Sequence, residues 1–519
     1  MLKKEFNLEN ISHKAIVYFF AILQIAILAD IIIFSDSTWH TCKKEFLFPN
    51  RIIFILSLVF CIACFVVYKQ GIQNNIRVNL YLCLIIANVL LFGVQIFITF
   101  HMYFYTGWDV KGIRTTVNDI IQNGGVIGAG NYYSYSIYPN NVNLTAVLLI
   151  IEKSFLYFGL NGYYGSLIVS NLLVNLAGIF TFLSTYNITS RYSYAVFSWI
   201  MFVLVAALSP WISIPYSDTY SILFPILAFY LYISRKPDKT YYIRWFLIGF
   251  LCLFGYTIKP TVIIVLIAIL IIEFLEVLTR FEKKTLINKL FPLILIIAAA
   301  LPVLLINSLS KKLMGVELDK NREFQIYHFA MMGLNTETNG VYSGDDVNFS
   351  ASFATIEERN NANISVIQER LTNFGLLGYV KFLGRKALIN FSDGSFAWSC
   401  EGNFYNQIPK RDGIIATFLR NLYYQDGAYY THFLTYTQIL WFIILILLPG
   451  MGLFLKKPEY KSITVILAIV GISFFVMLLE ARARYLYNYL SFFAIGAGIG
   501  ASSIKRGMNI LKQRAVNRK

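Results

Sequence analysis

Residues 101–143, HMYFYTGWDVKGIRTTVNDIIQNGGVIGAGNYYSYSIYPNNVN, form a polar island between two apolar stretches. Its first acidic residue, Asp109, follows Trp108 a few positions after an apolar run ends. Behind it Val110, Ile113, Val117 and Ile120 recur at helical spacing, one apolar face on an otherwise polar segment. The pattern predicts a short helix lying on a membrane surface and starting at a carboxylate. The island closes with tyrosines and with Tyr138-Pro139-Asn140-Asn141. A carboxylate held at the membrane edge under an interfacial helix suits chemistry on a lipid-linked substrate.

The chain around this island reads as membrane. Of its 519 residues 57% are hydrophobic and 14% charged, with mean hydropathy +0.60, more apolar surface than a soluble core can absorb. Apolar runs of about 20 residues recur, each long enough to cross the hydrocarbon layer as a helix. The expected fold class is all-α and polytopic, with about 12 transmembrane helices and both ends in the cytoplasm. The net charge of +16 would suggest nucleic acid in a soluble protein. Here basic residues gather at span ends, as orientation by the positive-inside rule requires, and six Lys or Arg follow Ile504 with no acid.

Five regions follow from hydropathy: membrane helices in 1–100, an extracytoplasmic catalytic loop with its juxtamembrane helix in 101–143, a membrane core in 144–309, an extracytoplasmic domain or lid in 310–432, and closing helices with a basic tail in 433–519. Leu144 to Phe158 is short for a span and is interrupted by Glu152 and Lys153, so it reads as a surface or half-inserted helix, with a full span as the alternative. Residues 311–430 contain no candidate span, and a loop that long implies a job. Cys61 and Cys64 form a CxxC inside an apolar run, where buried thiols are the plain reading. Cys42 and Cys400 fall in loops on one expected side.

Ionisable groups at a membrane cost several kcal/mol unless paired, and they converge on the outer face: Asp109, Arg114, Asp119, Asp218, Lys259, Glu480, Arg482 and Arg484. Asp109 reads as a helix N-cap, as a general base for an acceptor hydroxyl, or as both. Lys259, beside Pro260, either snorkels to the interface or holds a phosphate. Glu480 and Arg484 have the spacing of a helical ion pair, while two guanidiniums at the mouth of the last span could grip a phosphodiester. Asp345-Asp346 reads as an exposed acidic turn before a metal site.

Together, the acidic residue in the first large outer loop, Tyr138 to Asn141, Lys259-Pro260 at an outer turn, the late polar region and the sequence Glu480-Ala481-Arg482-Ala483-Arg484-Tyr485 resemble the GT-C superfamily of integral membrane glycosyltransferases. The likeness is to the family 39 group of protein O-mannosyltransferases and aminoarabinose transferases, in forms from Gram-positive bacteria. The resemblance implies inverting transfer from a polyprenyl-phosphate-linked sugar to a cell-wall glycan, teichoic acid, lipid or protein at the outer face of the cell membrane. By position it makes Asp109 the base and sets Lys259, Arg482 and Arg484 on the lipid phosphate. Trp108, Arg114, Tyr138, Asn140, Asp218, Glu480 and Tyr485 complete the substrate-binding set. Those relatives often carry Asp-Glu in the loop, where here Val110 follows Asp109. No cofactor is called for, and a divalent metal finds no support in the sequence. Two other readings stay open: a polysaccharide polymerase or ligase, expected to depend on arginines of the large loop, and a lipid-linked-sugar flippase, expected to show internal repeats and midplane charge.

Overall fold

The computed structural model describes residues 8–34, 48–71, 80–104, 106–124, 135–234, 239–280, 283–398, 412–455 and 458–516. Among them every regular element is helical. Cys42 and Cys400 lie outside the described residues.

The first three helices are α1 (Leu8–Ile33), α2 (Asn50–Gly71) and α3 (Leu80–Met102). Helix α4 (Trp108–Gln122) follows, and it buries Val110, Ile113, Val117 and Ile120, the face read from sequence. Helix α5 (Asn141–Tyr157) is continuous through Glu152 and packs between α4 and α6 (Gly162–Thr189). Helix α7 (Tyr192–Phe202) runs into a π-helical turn, Val203–Ala207, and a 3-10 turn, Pro210–Ser213, because Pro210 supplies no amide to continue the ladder. Helices α8 (Ser217–Ser221), α9 (Leu223–Ile233), α10 (Tyr241–Tyr256), α11 (Ile263–Arg280), α12 (Lys283–Ala298) and α13 (Ala300–Met314) make up the middle of the bundle.

Among the described residues seven helical stretches are long and apolar enough to cross a membrane: Ile11–Ile33, Tyr81–Met102, Gly162–Thr189, Pro260–Thr279, Leu290–Met314, Tyr430–Phe454 and Tyr460–Leu478. Four shorter apolar helices, Asn50–Cys64, Tyr192–Ala207, Ser217–Ile233 and Tyr241–Tyr256, coincide with expected spans. The protein is a multi-pass helical membrane protein.

The polar region carries α14 (Ile326–Met332), α15 (Gly344–Ala351), α16 (Ile356–Phe391, kinked at Gly375) and α17 (Ile414–Tyr423). The closing helices are α18 (Tyr430–Phe454), α19 (Tyr460–Leu478) and α20 (Leu490–Val516). The last expected span begins not as α-helix at Tyr485 but as 3-10 turns over Ala483–Tyr489. Helices α18 and α20 pack closely, because a side chain at Gly500 would overlap the Leu447 carbonyl. Small residues serve membrane helix pairs in this way, where apolar surface alone gives no preference for neighbours over lipid. Amides join α3 to α6: Asn175 Nδ2 donates to Gln95 Oε1 at 3.2 Å, and Asn171 Nδ2 to Thr99 Oγ1 at 3.1 Å.

The polar region is tied to the rest by backbone. Phe324 N donates to Ile137 O at 3.1 Å, and Ala481 N to Gly340 O at 2.7 Å. Buried Lys386 on α16 donates to the carbonyls of Gly333 and Leu479. The region therefore holds both the Tyr138 loop and the segment that carries Glu480 to Arg484.

Several sequence readings are corrected here. Cys61 is half-buried and Cys64 exposed on α2, so the pair does not sit in the interior. Asp346 is not an exposed turn: it is buried and bonds Arg370 Nη2 at 2.7 Å and Asn335 Nδ2 at 2.9 Å.

Candidate functional site at the end of helix α4

Helix α4 begins without a side-chain cap. Gly107 occupies the N-cap position and Asp109 lies in the first turn, so the expectation that Asp109 is the cap fails. A carboxylate there still meets the positive end of the helix dipole. Trp108 adopts φ +45°, a backbone region that bulky residues seldom occupy and that costs free energy. Its ring lies beneath the Arg484 guanidinium, 4.2 Å from centroid to Cζ.

From Asp109 a continuous set of contacts leads through residues far apart in the chain. Tyr216 Oη donates to Asp109 Oδ2 at 3.1 Å. The same tyrosine's ring lies 5.4 Å from Arg484 Cζ, with Trp211 at 5.7 Å closing a third side. Arg484 Nη1 stands 3.4 Å from Asp218 Oδ2, and the other carboxylate oxygen takes Lys259 Nζ in a buried ion pair. Lys259 Nζ also lies 4.8 Å above the Tyr485 ring. Tyr485 Oη donates to Glu480 Oε2 at 2.8 Å, and Arg482 Nε to Glu480 Oε1 at 2.6 Å.

The local backbone explains the arrangement. Helix α19 ends at Leu478, and Leu479 and Arg482 are extended, which turns Glu480 and Arg482 to one side of the chain. The expected helical pair between Glu480 and Arg484 is therefore absent; Arg482 takes Glu480, and Arg484 is released to Asp218. Lys259 sits with extended φ/ψ immediately before the 3-10 turn Pro260–Val262. It is 5% exposed, so it does not snorkel.

Three carboxylates, Asp109, Asp218 and Glu480, thus meet three cations, Lys259, Arg482 and Arg484. Of the six, Asp218, Lys259, Glu480 and Arg484 are buried, while Asp109 and Arg482 are partly exposed. Buried charges of this kind persist only when paired. Burial, and next the Asp109 charge, push the Tyr216 hydroxyl well above its ordinary pKa, which keeps it a donor. Tyr138 is raised in the same way, by burial first and then by Asp109, and this places its hydroxyl in the field of the same cluster. Among the described residues no group of three or more His, Cys, Asp or Glu is gathered as a metal site would require.

Two expected members make other contacts. Arg114 is at the far end of the first turns of α4, ion-paired with buried Glu152 and stacked 4.3 Å over Tyr163. Asn140 precedes α5 and makes no side-chain cap, reaching Asn141 Oδ1 at 3.4 Å. Asp119 lies three turns along α4, away from the cluster. Sequence reading missed Tyr216 and Trp211. Both stand in SPWISIPYSD, where the prolines drew attention and the aromatic residues did not.

Beside the cluster, under α4, lies a cavity of about 210 Å³ lined by residues that include Thr106, Val110, Arg114, Glu152, Tyr163 and Pro215.

Fold and site together define a polytopic helical membrane protein with a largely buried cluster of three carboxylates and three cations. The chain belongs to a family described as conserved hypothetical integral membrane proteins, whose family model matches residues 6–504. It matches none of the curated proteins compared with it. Two solved structures of the oligosaccharyltransferase of Archaeoglobus fulgidus are similar, one in the apo form and one in complex with an inhibitory peptide and a dolichol-phosphate. Each gives 11% identity and a TM-score of 0.41 over 82% and 83% of this chain respectively. The chain spans about half the length of those proteins, 52% of each.

Proposed function

We propose that the protein is a membrane glycosyltransferase of GT-C type, which moves a sugar from a polyprenyl-phosphate donor to a hydroxyl acceptor on the extracytoplasmic side. The observation that carries the reading is the contact set joining Asp109, through Tyr216, to Arg484, Asp218 and Lys259. A carboxylate reachable from solvent stands one side chain away from buried cations. That is the minimum a glycosyl transfer from a phosphate leaving group needs.

In this reading Asp109 takes the proton from the acceptor hydroxyl as its oxygen attacks the anomeric carbon. The bond from that carbon to the phosphate oxygen breaks, and its electron pair leaves on the phosphate. Lys259, Arg482 and Arg484 meet the charge that develops there. Attack opposite the leaving group inverts the anomeric centre. The cations are held by Asp218 and Glu480, so a phosphate that binds them takes the place of one set of anionic partners. Tyr216 and Trp108 fix the geometry between base and cation, and such placement is a large part of catalysis when the leaving group is already good. The acceptor hydroxyl belongs to a cell-wall glycan, a teichoic acid, a lipid or a protein.

The test is transfer by the purified full-length protein in lipid nanodiscs, supplied with fluorescent polyprenyl-phosphate sugars and candidate acceptors. D109N is expected to lose about 10²- to 10⁴-fold in turnover, the usual span of general-base catalysis. Undiminished turnover by D109N would remove Asp109 from the reaction. Transfer by neither wild type nor variant, across hexose and pentose donors, would remove the function.

A further inference from the structure

The 210 Å³ cavity lies against α4, next to the charged cluster. Its walls come from α4 (Val110, Lys111, Ile113, Arg114), from α5 (Leu148, Glu152) and from Tyr163 of α6. Its end toward the cluster is made by Thr106, Val110 and Pro215. Thr106 and Val110 flank the Trp108–Asp109 pair in sequence, and Pro215 precedes the tyrosine that bonds Asp109. Cavity and base therefore share a wall.

Two features suit the cavity to a hydroxyl-bearing ligand. Thr106 is 4% exposed, and its Oγ1 has no hydrogen-bond partner among the described residues. A buried hydroxyl in that condition costs free energy until a ligand or water meets it. Glu152, 2% exposed, receives Arg114 and Ser166 Oγ (2.9 Å) both on Oε1, so Oε2 accepts nothing among the described residues. Leu148, Val117 and the Tyr163 ring supply apolar wall. The volume of about 210 Å³ falls below the range for drug-sized ligands and suits a ligand of about one ring.

We propose that this cavity is the acceptor subsite, taking one hydroxylated sugar ring or polyol unit and presenting its reactive hydroxyl to Asp109, with Thr106 and Glu152 as specificity-determining residues. This rests on the glycosyltransferase reading. The anionic carrier then lies against the cluster and the neutral polyhydroxyl acceptor in the cavity, and the two meet at Asp109, where the acceptor oxygen can reach the anomeric carbon. Arg114 orients Glu152 and has no part in holding the phosphate.

The experiment uses the full-length protein in nanodiscs with methyl glycosides of glucose, galactose, mannose and N-acetylglucosamine, and with glycerol and ribitol, as acceptor probes. Binding is read by saturation-transfer NMR and transfer by product formation, for wild type, T106V and E152Q. The expected result is that both variants raise the KM of the accepted probe about tenfold or more, with the donor KM unchanged and kcat at saturation reduced less than KM is raised. T106V keeps the shape of the side chain and serves where E152Q unsettles the Arg114 pair. Transfer with acceptor KM unmoved in T106V and E152Q, or a change confined to donor KM, overturns the subsite and leaves the glycosyltransferase reading standing. Probe binding that T106V abolishes, with no transfer by wild type from any donor, keeps the cavity as a polyol site and overturns the reaction. Neither binding nor transfer overturns both.

Discussion

Tyr216 Oη donates a 3.1 Å hydrogen bond to Asp109 Oδ2 across 107 residues of chain, and with the Trp108 ring under Arg484 this bond joins helix α4 to the buried cations. Burial holds the phenol protonated, so toward the Asp109 carboxylate it is the donor. Hydrogen bonds to charged groups contribute about 1.5–3 kcal/mol. Y216F should therefore lower transfer about 10- to 100-fold while the protein still folds, because the ring keeps its contact with Trp108 (5.5 Å between centroids). Steady-state transfer kinetics with a melting curve checks this. A variant that melts as wild type and transfers as wild type would deny the bond any role.

Asp218 carries both Lys259 and Arg484, each about as deeply buried as itself. Removing the acid strands two cations in a low-dielectric site, and breaking a buried pair costs about 3–5 kcal/mol. D218N should melt well below wild type. D218N/K259M should regain part of the loss, since only Arg484 is then left without its carboxylate. Thermal unfolding in one detergent across wild type, both single variants and the double variant measures the coupling. Additive losses would mean that the pair contributes nothing as a pair.

How far the sequence anticipates this site depends on which signal each residue carries. The apolar face of α4 is a periodicity, and Val110, Ile113, Val117 and Ile120 are all buried. The convergence of Asp109, Asp218, Lys259, Glu480, Arg482 and Arg484 was legible because charges are scarce among so many apolar residues. Their pairing was not. Glu480 and Arg484 have the same four-residue spacing whether the backbone is helical or extended, and only the ending of α19 at Leu478 decides for Arg482 as the partner. Asp109 in the first turn instead of at the cap is a matter of two residues, finer than propensity resolves. Tyr216 and Trp211 carry no charge and no period, so nothing marked them before their neighbours were known. The same holds for Asp346, whose partner Arg370 lies 24 residues on in another helix.

Lys386 predicts a pH dependence of stability. Burial drives its pKa from 10.5 down to about 7, partly opposed by the Glu480 charge. The folded state thus releases this proton near pH 7, while the unfolded chain keeps it to about 10.5. Between those values unfolding takes up a proton, so stability rises with pH; below pH 7 both states are protonated and the contribution is flat at its least favourable. The rise should be about 2–3 kcal/mol from pH 7 to 9. Melting temperatures at pH 6, 7, 8 and 9 for wild type and K386M isolate it. Parallel curves for the two proteins would show that Lys386 keeps its proton throughout.

Gly333 predicts how the polar region acts on the site. A side chain at this position would overlap the Leu479 backbone carbonyl, the residue before Glu480, and backbone cannot swing aside as a side-chain tip can. Lys386 bonds the same carbonyl and that of Gly333, so the contact is fixed from both sides. G333A should cost about 1–3 kcal/mol from overpacking and should displace Glu480 and Arg482 together, with the donor KM rising more than the acceptor KM. G344A is the control, since the space around Gly344 is open within 4 Å and its backbone needs no glycine; it should melt as wild type or slightly above. Equal donor KM values in G333A and wild type would separate the polar region from the phosphate-binding residues and leave it a covering element alone.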